Sequence, residues 1–194
     1  AGAIKTVLHA GASTVILPHV LGELDAVALR NVTWEQIVEH TDVVLAFGGL
    51  ALKNSRIASG GISRHIERES MRKASTRGCR FVSVSPQRSD LPDEARPEWL
   101  AARPGTDTAL MLGLVHVLVT ENRHDRDFLE RYCDGWAGFE DYLLGKQDGE
   151  PKSASWAARI CGLAESTIVE LARTLPGKRV LVVVSHSLQR AEHG

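Results

Sequence analysis

Three short apolar runs constrain this chain more than anything else in it: "DVVLAFG" (42–48), "CRFVSVS" (79–85) and "RVLVVVS" (179–185). Each is continuous rather than alternating, the pattern of parallel strands covered on both faces. Between the first two lies "SGGISRHIERESMRKASTRG" (59–78), amphipathic and helix-like, with Gly78 where a C-cap belongs. Together they make one βαβ unit with the usual right-handed crossover. After the second run the chain enters "SPQRSDLPDEARPEW", kept irregular by Pro86, Pro92 and Pro97. The stretch "WLAARPGT" is read as a further edge strand, followed by a helix from Thr108 to about Glu121. An acidic–basic segment, "DRDFLERYC", leads to helix candidates in "WAGFEDYLLG", "SASWAARICG" and "AESTIVELARTL" before the sheet resumes. This alternation predicts a doubly wound α/β fold with a mostly parallel sheet, and places a ligand site at the carboxyl ends of the strands.

Three polar groups fall at those ends. Gly48 and Gly49 lead to Lys53 and Asn54; Ser85 is followed by Pro86 and Arg88; Ser185 runs into "HSLQRAEHG". Glycines let backbone approach a ligand closely, and lysine or arginine can neutralise phosphate. In "RPGTDTALMLGLVHVL" (103–118), Thr106 is a good N-cap whose hydroxyl is expected to accept from a first-turn N–H. Asp107 then lies in the first turn, where the helix dipole favours a carboxylate and where it could also accept two hydrogen bonds from a guanine edge. Local sequence leaves both roles open.

Composition narrows the function classes. The 194 residues, 43% hydrophobic, support one substantial core. With 23 basic and 24 acidic residues the formal charge is -1, which gives no electrostatic footprint for nucleic acid or a membrane surface. No run is long enough to span a bilayer. Cys79, Cys133 and Cys161 are widely spaced, without zinc-site spacing, and are read as reduced thiols. His116 is read as a core histidine rather than a metal ligand. The phosphate-binding fingerprints G-x-G-x-x-G and the P-loop are missing, as is a G-x-S-x-G elbow, so ordinary dinucleotide, NTP and serine-nucleophile chemistry lose support. The chain starts without methionine and ends at Gly194 without a change in composition, so it is expected to be a portion of a longer protein.

Taken together, "AGASTVILPHVLG" (10–22), "HTDVVLAFGGLALKN" (40–54), "FVSVSPQR" (81–88), the long block 103–163 that includes "DGEPK" and "ICGL", and "SLQRAEHG" (187–194) resemble the molybdopterin oxidoreductases of the dimethyl sulfoxide reductase type. The likeness is greatest to the trimethylamine N-oxide and biotin sulfoxide reductase branch. It implies residues 1–40 as a lead-in belonging partly to a neighbouring domain, and 41–194 as a Rossmann-like domain that helps bind a bis(molybdopterin guanine dinucleotide) molybdenum cofactor. By the same resemblance the cofactor contacts are Lys53 and Asn54; Val84 and Ser85; Gly105, Thr106 and Asp107; and His186, Ser187 and Arg190. Asp107 would face the guanine edge, with Lys53 and Arg190 on anionic or pterin oxygens. His9 stands where the branch has its molybdenum-ligand serine, and His186 where it has a tryptophan.

The implied full-length protein is an enzyme reducing small S- or N-oxides by oxygen-atom transfer, re-reduced by an electron donor protein or reduced cofactor. This portion is expected to be inactive alone. The changes at His9 and His186 leave open the same cofactor with other redox or hydroxyl-transfer chemistry; in isolation the chain could also be a noncatalytic nucleotide-binding module. The compartment is expected to be cytoplasmic or periplasmic, the reduced thiols favouring the former.

Overall fold

The computed structural model describes residues 32–55 and 65–184, together with Leu188. The chain divides into two units, Ala1–Ile37 and Val38–Gly194. Of the first, only 32–37 are described. There Thr33 and Gln36 bond reciprocally, each side chain accepting the other's backbone N–H at 3.3 and 2.9 Å, a capping box that starts helix α1 (Trp34–His40).

The second unit is built on a four-stranded, all-parallel sheet of β1 (Val43–Phe47), β2 (Arg80–Val84), β3 (Glu98–Leu100) and β4 (Val180–Val184), in the order β3-β2-β1-β4. Helix α2 (Glu67–Arg77) links β1 to β2 and ends at Gly78 in a Schellman arrangement, with Cys79 N donating to Ala74 O at 3.0 Å. The return from β3 to β4 carries α3 (Asp107–Thr120), α4 (Arg126–Tyr132), α5 (Trp136–Leu143), α6 (Ala154–Cys161) and α7 (Glu165–Thr174). The strand order reverses direction between these two connections, so right-handed crossovers put α2 on one face of the sheet and the return helices on the other. The doubly wound α/β expectation holds.

The main core lies under the return helices. Val43, Leu45 and Phe47 of β1 and Val82 and Val84 of β2 pack with Leu110 and Leu114 of α3, Ala157 and Cys161 of α6, and Ile168 and Leu171 of α7. Helices α3 and α6 approach closely because Gly113 has no side chain: a Cβ there would stand 2.6 Å from the Ala157 Cβ. One expectation fails in detail. The β4 run reads like a fully covered strand, yet Val182 and Val184 are each 54% exposed. They share a face with Leu45 and Phe47, but β4 is the outer strand among the described residues, and on this face only its first residue, Val180, packs against the main core. The segment "DRDFLERYC" is also a helix, started by Asp125, whose carboxylate accepts Phe128 N at 2.9 Å.

The amino-terminal end of the sheet is tied by charge. The Asp42 carboxylate accepts from Arg179 Nη2 and its backbone N at 2.9 Å and from Nε at 3.1 Å, joining the starts of β1 and β4. These bonds hold its pKa well below the usual carboxylate range. A depressed carboxylate adds stability above its unfolded pKa, about 3.9, and that stability is lost as pH falls through the folded value. Asp42→Asn is therefore expected to be less stable than the parent from about pH 5 upward, with the gap closing below about pH 4. Urea unfolding midpoints across that range measure it; a gap that does not change with pH would contradict the ion pair's role.

Among the described residues no helix is long and apolar enough to cross a membrane. Cys79, Cys133 and Cys161 are free thiols, the first and last of them buried.

Candidate functional site

The carboxyl ends of β1 and β2, the segment after β3 and the start of α3 surround a cleft of about 420 Å³. Parallel strands all point their carboxyl ends one way, so residues far apart in sequence meet here. Lys53 comes from the turn after β1, Val84 and Ser85 from the end of β2, and Gly105 and Asp107 from the turn into α3; all line the cleft. Sequence reasoning placed these residues at one site, and the fold brings them together. Thr106 sits between the last two. His9, His186, Ser187 and Arg190 lie outside the described residues, as does the side chain of Asn54. Arg88, also suggested for phosphate, is not part of the lining.

The Gly48–Gly49 turn lets the chain leave β1 tightly over the end of β4. A Cβ at Gly49 would be 3.2 Å from Val183 Cγ1, and its φ is +82°, so a side chain there would be strained as well as crowded.

Ser85 forms the floor. Its hydroxyl donates to the Asp90 carboxylate and accepts Gln87 N at 3.1 Å; its carbonyl accepts Trp99 Nε1 at 2.8 Å, and its N–H donates to Leu100 O at 3.2 Å. A buried serine so fully engaged shapes the cleft and holds Asp90 rather than offering a free hydroxyl. Asp90 and Trp99 went unrecognised in the sequence because both act through this one residue from an irregular loop and an edge strand.

The start of α3 departs from the capping expectation. Thr106 is the N-cap, but its hydroxyl donates to Arg103 O at 2.7 Å and accepts nothing from the helix. The Pro104–Gly105 turn brings that carbonyl within reach, and the bond closes the turn instead of the helix. Among the described residues no side chain caps α3, which leaves its first-turn N–H groups and the positive end of its dipole facing the cleft. Asp107, in that first turn, is half-buried. Burial alone pushes its carboxyl up from the ordinary aspartate value, with no cation among the described residues to offset it. Arg103, by contrast, is committed: its Nη1 donates to the carbonyls of Arg159 at 3.0 Å and Ile160 at 3.2 Å.

The cleft thus offers an exposed ammonium at Lys53, an uncapped 14-residue helix start, and one half-buried carboxylate with spare acceptor capacity. The first two suit a phosphate, and the third suits a planar group with adjacent N–H donors. Nothing suits a metal directly: among the described residues no three His, Cys, Asp or Glu side chains group as ligands, and His116 is a half-buried imidazole pushed toward its neutral form by burial.

Residues 10–194 match the family model described as molybdopterin oxidoreductase. The chain belongs to this family. It is 40% identical over 189 residues to a trimethylamine-N-oxide reductase of Haemophilus influenzae, covering 95% of this chain and 22% of that protein. It is 43% identical over 183 residues to a biotin sulfoxide reductase of Cereibacter sphaeroides, covering 94% of this chain and 25% of that one. A dimethyl sulfoxide/trimethylamine N-oxide reductase from the same organism is 38% identical over 183 residues. The chain therefore spans between 22% and 25% of the length of these relatives. Among solved structures, acetylene hydratase from Pelobacter acetylenicus shares the fold, with a TM-score of 0.61 over 78% of this chain and 19% of that one at 22% identity. Family membership implies a molybdenum–molybdopterin cofactor, and the cleft's donor set suits an anionic group.

Proposed function

We propose that the full-length protein is a bis(molybdopterin guanine dinucleotide) molybdenum oxidoreductase reducing S- or N-oxides, and that this chain holds a guanine nucleotide portion of the cofactor. The observation that carries the proposal is the half-buried Asp107 carboxylate, without an ion-pair partner or side-chain helix cap among the described residues, at the start of α3 in the same cleft as Lys53. The similarity to reductases of trimethylamine N-oxide and biotin sulfoxide along almost the whole chain supports the substrate class.

Each residue has a distinct part. Asp107, when ionised, accepts from the N1–H and exocyclic N–H of guanine, a pair of donors that adenine lacks on that edge. Lys53 and the first N–H groups of α3 hold phosphate oxygens through charge and dipole. Ser85, fastened to Asp90 and Trp99, keeps the floor rigid. Asn54, Val84, Gly105 and Thr106 complete the contacts within 32–184, and His186, Ser187 and Arg190 add a further group; His9 is proposed beside the metal. The group supplies two-electron oxygen-atom transfer when bound, and an external donor restores its electrons. The protein's share is binding, orientation and electrostatics.

Turnover of dimethyl sulfoxide, biotin sulfoxide and trimethylamine N-oxide by the molybdenum-loaded full-length protein, with a reduced dye as donor, tests this function. Reduction of at least one oxide is expected. Failure on all of them with the metal in place would overturn it.

A further inference from the structure

We propose that Arg103 is the positioning residue of the guanine site: it pins the turn 103–107 to the end of α6 and so sets where the Asp107 carboxylate stands. The inference rests on the cleft being a guanine nucleotide site.

Arg103, on the lining of the cleft, is held through Nη1 and through its backbone N–H and carbonyl. Its Nη1 donates to Arg159 O at 3.0 Å and Ile160 O at 3.2 Å, and its backbone N–H donates to Cys161 O at 2.9 Å. Those carbonyls form the last turn of α6, the negative end of its dipole, which favours a guanidinium there. The side chain lies close along the chain where α6 ends, since a Cβ at Gly162 would come 3.1 Å from its Nε. From the other direction the Thr106 hydroxyl donates to Arg103 O at 2.7 Å. Asp107 is the next residue. The anchor itself is fixed, because α6 packs without a gap against α3 at Gly113 and Ala157.

The two halves of a nucleotide depend on this tether differently. A carboxylate reading two donors tolerates a displacement of only about 0.5 Å. Phosphate held by an ammonium and a helix start is far less sensitive to position, because charge and dipole act over longer distances. Loosening Arg103 therefore removes base selectivity while sparing phosphate-directed binding, whereas a general loss of fold weakens both.

Calorimetric titration of the cofactor-free full-length protein with GDP and with ADP separates these cases. The parent is expected to prefer GDP. Arg103→Ala should lower GDP affinity about tenfold, the scale of one misplaced charged hydrogen bond, and leave ADP affinity within about twofold. Thr106→Val, near-isosteric, should shift the preference the same way by less, and it carries the test if Arg103→Ala does not fold. Arg103→Lys should recover part of the preference, since an ammonium can reach one of the two carbonyls. If Arg103→Ala and Thr106→Val keep the parent's GDP-to-ADP ratio while Asp107→Ala abolishes it, the positioning role is wrong and the guanine site stands. An equal fall for both nucleotides would likewise overturn positioning. If Asp107→Ala leaves the preference intact, or the parent has none, the guanine site itself is wrong.

Discussion

Replacing Asp107 with alanine in the full-length protein is expected to weaken GDP binding roughly a hundredfold, because two hydrogen bonds to an ionised carboxylate disappear together. The effect depends on pH in a defined direction. Both guanine groups are donors, so the carboxylate must be ionised to accept from both. Burial raises the Asp107 pKa. Affinity is therefore full above that raised value and falls as pH drops through it, starting at a higher pH than for an exposed aspartate. The linkage to folding runs the other way. A carboxyl whose folded pKa is raised lends stability that is fully present below its unfolded pKa and lost as pH rises through the folded one. Acidification should thus weaken the site while relieving the buried charge of the cofactor-free protein. Asp107→Asn offers one acceptor and one donor group, so it should bind GDP weakly with no pH dependence of its own. Titration between about pH 4.5 and pH 8 measures both effects; Asp107→Ala binding GDP as tightly as the parent would exclude the assignment.

The second large effect concerns stability. Gly145→Ala is expected to cost about 2–5 kcal/mol, from a left-handed penalty of about 1–2 kcal/mol plus overpacking of about 1–3 kcal/mol. Gly145 follows α5 with φ +74°, and a Cβ there would run into the backbone of Glu150 and Pro151, 2.6 Å from the Glu150 carbonyl carbon. That backbone has little room to retreat. Gly149 N donates to Gly145 O at 2.8 Å, and Lys152 N donates to Leu143 O at 2.9 Å. The Lys152 side chain is only 3% exposed, its Nζ bonded to the Asp148 carboxylate and to Glu150 O at 2.6 Å and lying 4.6 Å over the Tyr142 ring. The run "DGEPK" is thus a structural clip between α5 and α6. Gly149 supplies the control: its φ is +76°, but a Cβ would meet nothing within 4 Å. Gly149→Ala should cost only the backbone penalty, about 1–2 kcal/mol. Denaturant unfolding compares the two; equal losses would show that the close approach at Gly145 is relieved without cost.

Much of this architecture was legible because its signals are local. The runs at β1, β2 and β4 are continuous, Gly78 ends α2 where a cap was expected, and parallel topology puts Lys53 and Ser85 at one end of the sheet, where the family resemblance adds Asp107. What escaped depends on partners distant in sequence. The apolar runs of β1 and β4 read alike, yet only β1 has neighbours on both sides and helices over both faces, so Val182 and Val184 stay exposed. Helix α4 buries none of its residues, which leaves no apolar stripe to announce it; Asp125 as N-cap was the available signal. Thr106 has the right residue type for a cap, but its hydroxyl finds the Arg103 carbonyl instead. Arg103 carried no signal at all, since its partners lie 56 and 57 residues away.

The central claim, that this domain belongs to an enzyme carrying the guanine dinucleotide form of the molybdenum cofactor, is tested most directly by the metal and nucleotide content of the purified full-length protein. Molybdenum in stoichiometric amount, releasing two guanine nucleotides per metal on acid hydrolysis, is the expected result. Well-folded, active protein that contains molybdenum but releases no guanine nucleotide would contradict it.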